Sequence, residues 1–490
     1  MNEYSVPKAA PEDSIAHIER CFWSMHESSR AEPTSTAAER KALLGALRGV
    51  ISMHAREFSE TIARDFGWRS HDETRMAEVV PALTLIRDAL SNLNRWMRPE
   101  ARDTSILFWP ARNRVYWQPK GVVLIISPWN YPLQLTVGAL AAALAAGNRV
   151  IVKPSETTPT TAAALKRTLE GALGRDRVTV ATGGAEVAEA LCALPFDHIL
   201  FTGSTAVGKR VMQAAAQNLT PVTLELGGKS PVIVHGEFDH AVAAQRIARG
   251  KLLNAGQTCI APDYALVQRG RIDEFARHFQ DAAAQFYPRL GDNPDYTSII
   301  NQRHYDRLRK LAADARAKGA RLVAVDPAHE LAADEIGIPN VRKIAPVALT
   351  GVTDDMAVMQ EEIFGPILPV VAYDALEDAI AYVNARPRPL ALYYFDANRV
   401  RVQHIMERTV SGGAGVNDTV LHFAQEGLPF GGIGPSGMGA YHGRDGFRTF
   451  SHGKGVFLQS RWTFTDLLVP PYAELFRRLI GVAVWRNGGK

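Results

Sequence analysis

Apolar positions in the first hundred residues recur at helical spacing. Ala42, Leu43, Leu44, Leu47, Val50 and Ile51 form one stripe, and Val79, Val80, Leu83, Ile86 and Leu90 form another. Residues 12–98 therefore read as helices, each with one buried face. From Ser105 to Gln118 the period changes. Ile106–Trp109 and Val115–Trp117 flank a turn region from Pro110 to Asn113, which predicts a hairpin. A new rhythm starts at Val122. Val122–Ile126 is apolar at every position, the pattern of a strand covered on both faces. A helix is expected through Leu144, closed by Gly147 and Asn148, before the next strand at Val150–Val152. Val178–Val180 and His198–Phe201 continue the series. Strands alternating with helices predict a parallel, doubly wound α/β sheet.

The rhythm repeats in a second α/β unit from about residue 228. Its expected strands are Pro231–Val234, Tyr264–Val267 and Pro369–Ala372. Glycine- and serine-rich loops at 411–415 and 431–439 precede a tail containing Pro470 and Pro471. The apolar piece Leu479–Trp485 follows Arg477 and Arg478. It is expected as a helix docked on the protein's own surface, with a helix lying on a membrane surface as the other reading.

Composition narrows the classes of function. With 490 residues, 46% of them hydrophobic, the chain can build two full cores. The net charge is only +4 and no run of five Lys or Arg occurs, so a nucleic-acid partner is not expected. The three cysteines, Cys21, Cys192 and Cys259, are far apart and form no CxxC. That speaks against a disulfide framework and a zinc site, so no metal is expected and a reducing compartment is. Met1–Ser5 lacks the basic start of a signal peptide. The Ala-rich run Leu135–Gly147 is too short to span a bilayer. A soluble, cytoplasmic protein without a membrane span is the expectation.

Candidate chemistry centres on Cys259, in the run Asn254–Pro262. A cysteine beside glycine and small polar residues suits a nucleophile, although free cysteine also serves as a small buried hydrophobe. Glu225-Leu226-Gly227-Gly228-Lys229 and Pro128-Trp129-Asn130-Tyr131-Pro132 lie upstream. A thiol, a carboxylate and a side-chain amide are the groups that covalent chemistry at a carbonyl requires. Phe201–Gly208 ends a strand and opens a helix. It departs from GxGxxG and fits an anion site or a tight turn equally well. Glu156, in Lys153-Pro154-Ser155-Glu156, stands where a carboxylate can accept both ribose hydroxyls of an adenosine. The plainer reading there makes Ser155 a helix N-cap. Gln360–Pro366 alone reads as a surface turn. Pro429–Gly439 reads as a glycine-dense closure near the site.

In this order and at these separations, the segments resemble the aldehyde dehydrogenase superfamily over nearly the whole chain. Thr258–Tyr264 and Ser436–Gly443 look like its class 3-like branch. Asp65–Thr74, Arg95–Arg98 and Leu421–Gln425 look more narrowly like the coniferyl aldehyde dehydrogenases. The resemblance implies a Rossmann-type cofactor domain (1–102 and 119–227), an α/β catalytic domain (228–440), a β oligomerisation arm (103–118 and 441–466) and a tail (467–490). It implies Cys259 as nucleophile, Glu225 as general base and Asn130 as oxyanion donor. Ile126, Trp129, Lys153, Ser155, Glu156 and Gly203 are implied as cofactor contacts, together with Ser204, Gly208, Leu226, Glu362 and Phe364. The implied reaction oxidises an aldehyde, coniferyl or a related aromatic one, to its acid. NAD is the expected cofactor, with NADP possible, and a homodimer is the expected assembly. The alternatives are a long-chain aliphatic aldehyde as substrate, coenzyme A as acyl acceptor, and a non-catalytic binding protein of the same fold. Glu225 speaks against the coenzyme A reading, because a base for water is what such enzymes can dispense with.

Overall fold

The computed structural model describes residues 13–463, 465 and 469–488. The expectations for residues 1–12 and for parts of the tail lie outside them. The N-terminal helices form as the periodicity predicts, over Ile15–Ala31, Ala37–Met53, Ala55–Asp65 and Val80–Trp96. A capping box starts the second. Thr36 N–H donates to Glu39 Oε2 at 2.7 Å, and Glu39 N–H donates to Thr36 Oγ1 at 3.2 Å. Leu44, Leu47 and Ile51 point into the core from that helix. One turn of π-helix, Arg75–Val79, sits between His71–Thr74 and Val80.

A six-stranded sheet follows, in the order 437–438, 222–225, 198–202, 122–126, 149–153, 178–180. Every neighbour pair is parallel except the edge pair, where Gly437 faces Glu225. Val122–Ile126 and Arg149–Lys153 are buried at every position. The helix Gln134–Ala146 is buried on all sides, in keeping with a sequence that is apolar or glycine apart from Gln134 and Thr136. It ends on Gly147, whose φ of 92° needs a residue without Cβ. The chain runs outward from 122–126 through 149–153 to 178–180, then returns to 198–202 on the other side. The sheet therefore reverses its winding between 122–126 and 198–202, and a crevice opens beyond the strand ends there.

The second sheet has seven strands, in the order 321–324, 347–350, 367–373, 264–268, 231–234, 391–395, 413–416. All neighbours are parallel except 321–324 with 347–350. The loops that enter strands 264–268 and 367–373 carry Cys259 and Glu362. The first sheet thus offers its carboxyl edge to the crevice, and the second offers the amino ends of two strands.

Two expectations are corrected. The hairpin at 105–118 does not form. Ile106–Phe108 is a single 3₁₀ turn, and only Arg112–Pro119 is a strand. That strand takes Ser451–Leu458 along its whole length on one side and Glu100–Arg102 on the other. Both of its edges are therefore filled by other partners, and Pro110 has no N–H to extend a ladder. The apolar tail does form a helix, Glu474–Asn487, but it is not docked. Leu475, Leu479, Val482, Val484 and Trp485 are all exposed. Its apolar residues run round the helix, interrupted by Arg477, Arg478 and Arg486, so there is no single stripe to bury. Among the described residues no helix is long and apolar enough to cross a membrane.

Candidate active site

A cavity of about 220 Å³ opens at the crevice. It brings Cys259, Glu225 and Asn130 together with Trp129, Gly203, Ser204, Leu226, Glu362 and Phe364. The other expected cofactor residues lie along the strand ends beyond it. Ile126 and Lys153 are register partners on adjacent strands. Lys153 Nζ donates to Glu156 Oε2 at 3.2 Å, and the Glu156 side chain remains 55% exposed. Gly208 is buried on the helix Thr205–Ala216, where a Cβ would stand 2.6 Å from Leu226. A larger, more open cleft of about 790 Å³ lies near Trp68 and Arg342. It contains no thiol, and the Lys343 amine within it is held by three carbonyl oxygens. The smaller cavity is the chemically equipped one.

Local backbone geometry places the thiol. Asn254, Ala255 and Gly256 adopt φ values of 53°, 50° and 76°, so three consecutive left-handed residues turn the chain into the cavity. Two of them are not glycine, at a cost of roughly 1–2 kcal/mol each. A Cβ on Gly256 would stand 2.3 Å from Gly365 O, so this loop packs directly on the loop that carries Glu362. Gln257 is fully buried and pins the turn. Its Nε2 donates to Asn254 O at 3.0 Å and Ser298 O at 3.1 Å, and its Oε1 accepts from Ile300 N–H at 2.9 Å.

Asn130 Nδ2 donates one hydrogen to Gln257 O at 3.1 Å, which leaves its second N–H for another acceptor. Asn130 is not a helix cap, because the helix beyond it starts at Gln134. Ser155 is not an N-cap either. The helix there starts at Pro159, and Ser155 Oγ instead accepts from Thr157 N–H at 3.2 Å. Glu225 ends the strand Val222–Glu225 with both carboxyl oxygens buried and without a hydrogen-bond partner.

The cavity disfavours negative charge. Burial holds the Glu225 carboxyl well above the usual carboxylate range. Burial first, then the charge of Asp263, pushes Glu362 up to about 8. The Cys259 thiol is pushed up to about 12 by burial, then by Glu362 and Glu225, against backbone N–H groups that pull it down. Below such a value the thiolate fraction grows tenfold per pH unit. Inactivation of the free enzyme by iodoacetamide should accordingly accelerate from pH 7 to pH 10 without levelling off. The climb should slacken above about pH 8, where Glu362 ionises, and Glu362→Gln should remove that slackening. A plateau below pH 8 in the wild-type curve contradicts the electrostatics described here.

Two residues that the sequence did not single out also line the cavity. His304 packs its ring 5.2 Å from that of Trp129, and burial lowers its pKa to about 4. It is therefore neutral at pH 7. Arg307 Nη1 donates to Glu362 O at 3.0 Å and lies 3.3 Å from Glu361 Oε1. Both sit on the helix Gln302–Ala317 at an i, i+3 spacing. Among Arg303, Arg309 and Lys310 that pair resembles any solvated helix face.

A doubly wound sheet joined to a second α/β unit, with a cysteine and a buried carboxyl lining one cavity at the crevice, defines a two-unit α/β protein with a reactive-group pocket between its sheets. The chain belongs to the aldehyde dehydrogenase family, matching it over residues 5–456. It is 49% identical over 469 residues to the "Probable coniferyl aldehyde dehydrogenase" of Pseudomonas aeruginosa, covering 96% of each chain. Among solved structures, the substrate-bound state of Staphylococcus aureus AldH superposes with a TM-score of 0.89 at 39% identity, covering 95% of this chain and 99% of that one. A Mycobacterium tuberculosis aldehyde dehydrogenase complexed with NAD+ superposes with a TM-score of 0.83 at 29% identity, covering 93% and 92%.

Proposed function

We propose that this aldehyde dehydrogenase oxidises an aromatic aldehyde of the coniferyl type to its carboxylic acid, with NAD as the preferred cofactor. The observation that carries the chemistry is the meeting of Cys259, Glu225 and Asn130 on one cavity. The aromatic assignment draws on the likeness to the P. aeruginosa relative.

The Cys259 sulfur attacks the aldehyde carbon as its proton passes to solvent, which leaves Glu225 free for the later step. A thiohemiacetal forms. The free N–H of Asn130 Nδ2 and the Cys259 backbone N–H hold its oxyanion. After oxidation the acyl group remains on Cys259 as a thioester. Glu225 then takes a proton from water, and the water oxygen attacks the thioester carbon. The C–S bond breaks, the acid leaves, and the sulfur takes the proton from Glu225, which restores both the thiol and the carboxylate.

The crevice fits a nicotinamide dinucleotide. The Thr202 hydroxyl lines the cavity, buried and without a partner. The helix N-terminus capped by Ser204 offers backbone N–H groups to a phosphate. Lys153 and Glu156 would hold the adenosine ribose. Glu362, whose carboxyl lies so close over Gly227 that a Cβ there would stand 2.1 Å from it, would hold the other ribose beside Phe364. When bound, the cofactor supplies a hydride acceptor. The exposed Glu156 carboxylate repels a 2′-phosphate, which favours NAD. We also assign 1–102 and 119–227 to cofactor binding and 228–440 to catalysis. The arm, with Ile106, Trp109, Phe457 and Leu458 exposed on it, is assigned to homodimer contacts.

The test ranks kcat/KM over coniferaldehyde, benzaldehyde and a long-chain alkanal, each with NAD and with NADP. Coniferaldehyde with NAD is expected to lead. An alkanal ahead by tenfold, about 1.4 kcal/mol of transition-state binding, refutes the aromatic assignment. A lead for NADP refutes the role given to Glu156.

A further inference from the structure

The segment Asp65–Thr74 contributes nothing to the cavity wall, yet it carries Arg69, a fully buried guanidinium. Arg69 Nη1 donates to Glu78 Oε1 at 2.7 Å and to the main-chain oxygen of Asn130 at 3.1 Å. Its Nε donates to Glu73 Oε1 at 3.3 Å. The single π-turn at Arg75–Val79 contains Glu78, and the extra residue in that turn changes which side chains face inward beyond Glu73. The two carboxylates fix the guanidinium, and each also grips a loop of the site. Glu78 Oε2 accepts from Leu133 N–H at 2.8 Å and Gln134 N–H at 3.2 Å. Glu73 Oε2 accepts from the backbone N–H of left-handed Asn254 at 3.1 Å.

Three routes run from Arg69 to the reacting groups. The first is the bond to Asn130 O, an oxygen that also accepts from Asn254 Nδ2 at 3.0 Å. In the second, Asn254 Nδ2 also donates to Gln257 O at 3.1 Å, the same oxygen that orients the Asn130 amide. In the third, the guanidinium lies 4.8 Å from the Tyr131 ring centre, and the Tyr131 hydroxyl is 2.7 Å from Thr258 Oγ1, next to Cys259. Two guanidinium nitrogens share a main-chain carbonyl and two carboxylates, whereas an ammonium has a single nitrogen to place among them.

We propose that Arg69 is a positioning residue that holds the Asn130 backbone, and through it the Asn130 side-chain amide, in line with the oxyanion formed on Cys259. The proposal rests on the oxyanion role given to Asn130 above.

A double-mutant cycle on kcat tests it, using the aldehyde that wild type turns over fastest among the three ranked above. Arg69→Lys keeps the charge and loses the fork. It should lower kcat tenfold or more while KM for NAD and the iodoacetamide rate at Cys259 stay within twofold of wild type. In the Asn130→Ala background the same substitution should cost less than twofold, because the group it positions is gone. Asn130→Ala with undiminished kcat would overturn the oxyanion reading itself. With Asn130→Ala slow, an equal fall in both backgrounds would overturn the role given to Arg69 alone, as would a kcat unchanged by Arg69→Lys. Should Arg69→Lys not fold, Glu78→Gln runs the same cycle. It keeps the guanidinium and removes one of the two charges that orient it.

Discussion

Cys259→Ala is expected to abolish aldehyde oxidation, with a fall in kcat of about 10⁴ or more. The thiol is the group to which the acyl carbon must bond, and among the residues that line the cavity there is no second thiol. The other two cysteines are elsewhere: Cys192 is buried on the helix Ala185–Cys192 and Cys21 lies on the first helix. Folding should survive, because the substitution removes one atom from a side chain that is only partly buried. NAD affinity, read by quenching of tryptophan fluorescence, should stay within threefold, because none of the backbone groups at the Ser204 cap moves. NADH production from an aldehyde at more than a hundredth of the wild-type rate would place the nucleophile elsewhere and revive the non-catalytic reading of Cys259.

Glu225→Gln should leave the first half of the reaction measurable and stop the second. The amide cannot take a proton from water, so the thioester should accumulate. Rapid mixing with NAD and aldehyde should show a burst of NADH near one equivalent per active site, then turnover slower by about 10²–10⁴, the worth of a general base. If the burst vanishes together with the steady state, Glu225 is needed mainly to take the thiol proton. An undiminished steady state removes it from the mechanism.

The same substitution has a signature in stability. Glu225 has a raised pKa in the folded state. Its contribution to folding is therefore fully present below the ordinary glutamate pKa, and it is lost as pH rises towards the raised value. Glu225→Gln should melt at a temperature less sensitive to pH above about 5, and higher than wild type at pH 8. A variant as pH-sensitive as wild type across that range would count against an unpaired, buried Glu225.

Much of this was legible beforehand because its signals are local. Val122–Ile126 reads as a buried strand from its own side chains. Gly147 reads as a helix end from the conformation only it tolerates. Cys259, Glu225, Asn130 and Glu362 were each visible as chemical groups beside glycines or turns. The errors share one cause. The pattern at 105–118 suited a hairpin until Ser451–Leu458, more than three hundred residues on, took the strand's edge. Ser155 suited an N-cap, but the helix starts three residues later, with Thr158 at the cap position. His304 and Arg307 looked like an ordinary polar helix face. Arg69 stood only within the block Asp65–Thr74, where nothing local marks it as buried.

By itself, then, the sequence determined the alternation of strands and helices, the doubly wound class of the fold and the stock of reactive side chains. Periodicity, turn chemistry and side-chain type act within a few residues of where they are written. Only the tertiary structure decided which of those side chains meet. Asn130 reaches Gln257 across 127 positions, and Glu73 reaches Asn254 across 181. Burial shared between such distant segments raises the pKa of Cys259 and Glu225 and leaves the Glu225 oxygens without a partner. That burial exists only once the two sheets have closed over the cavity.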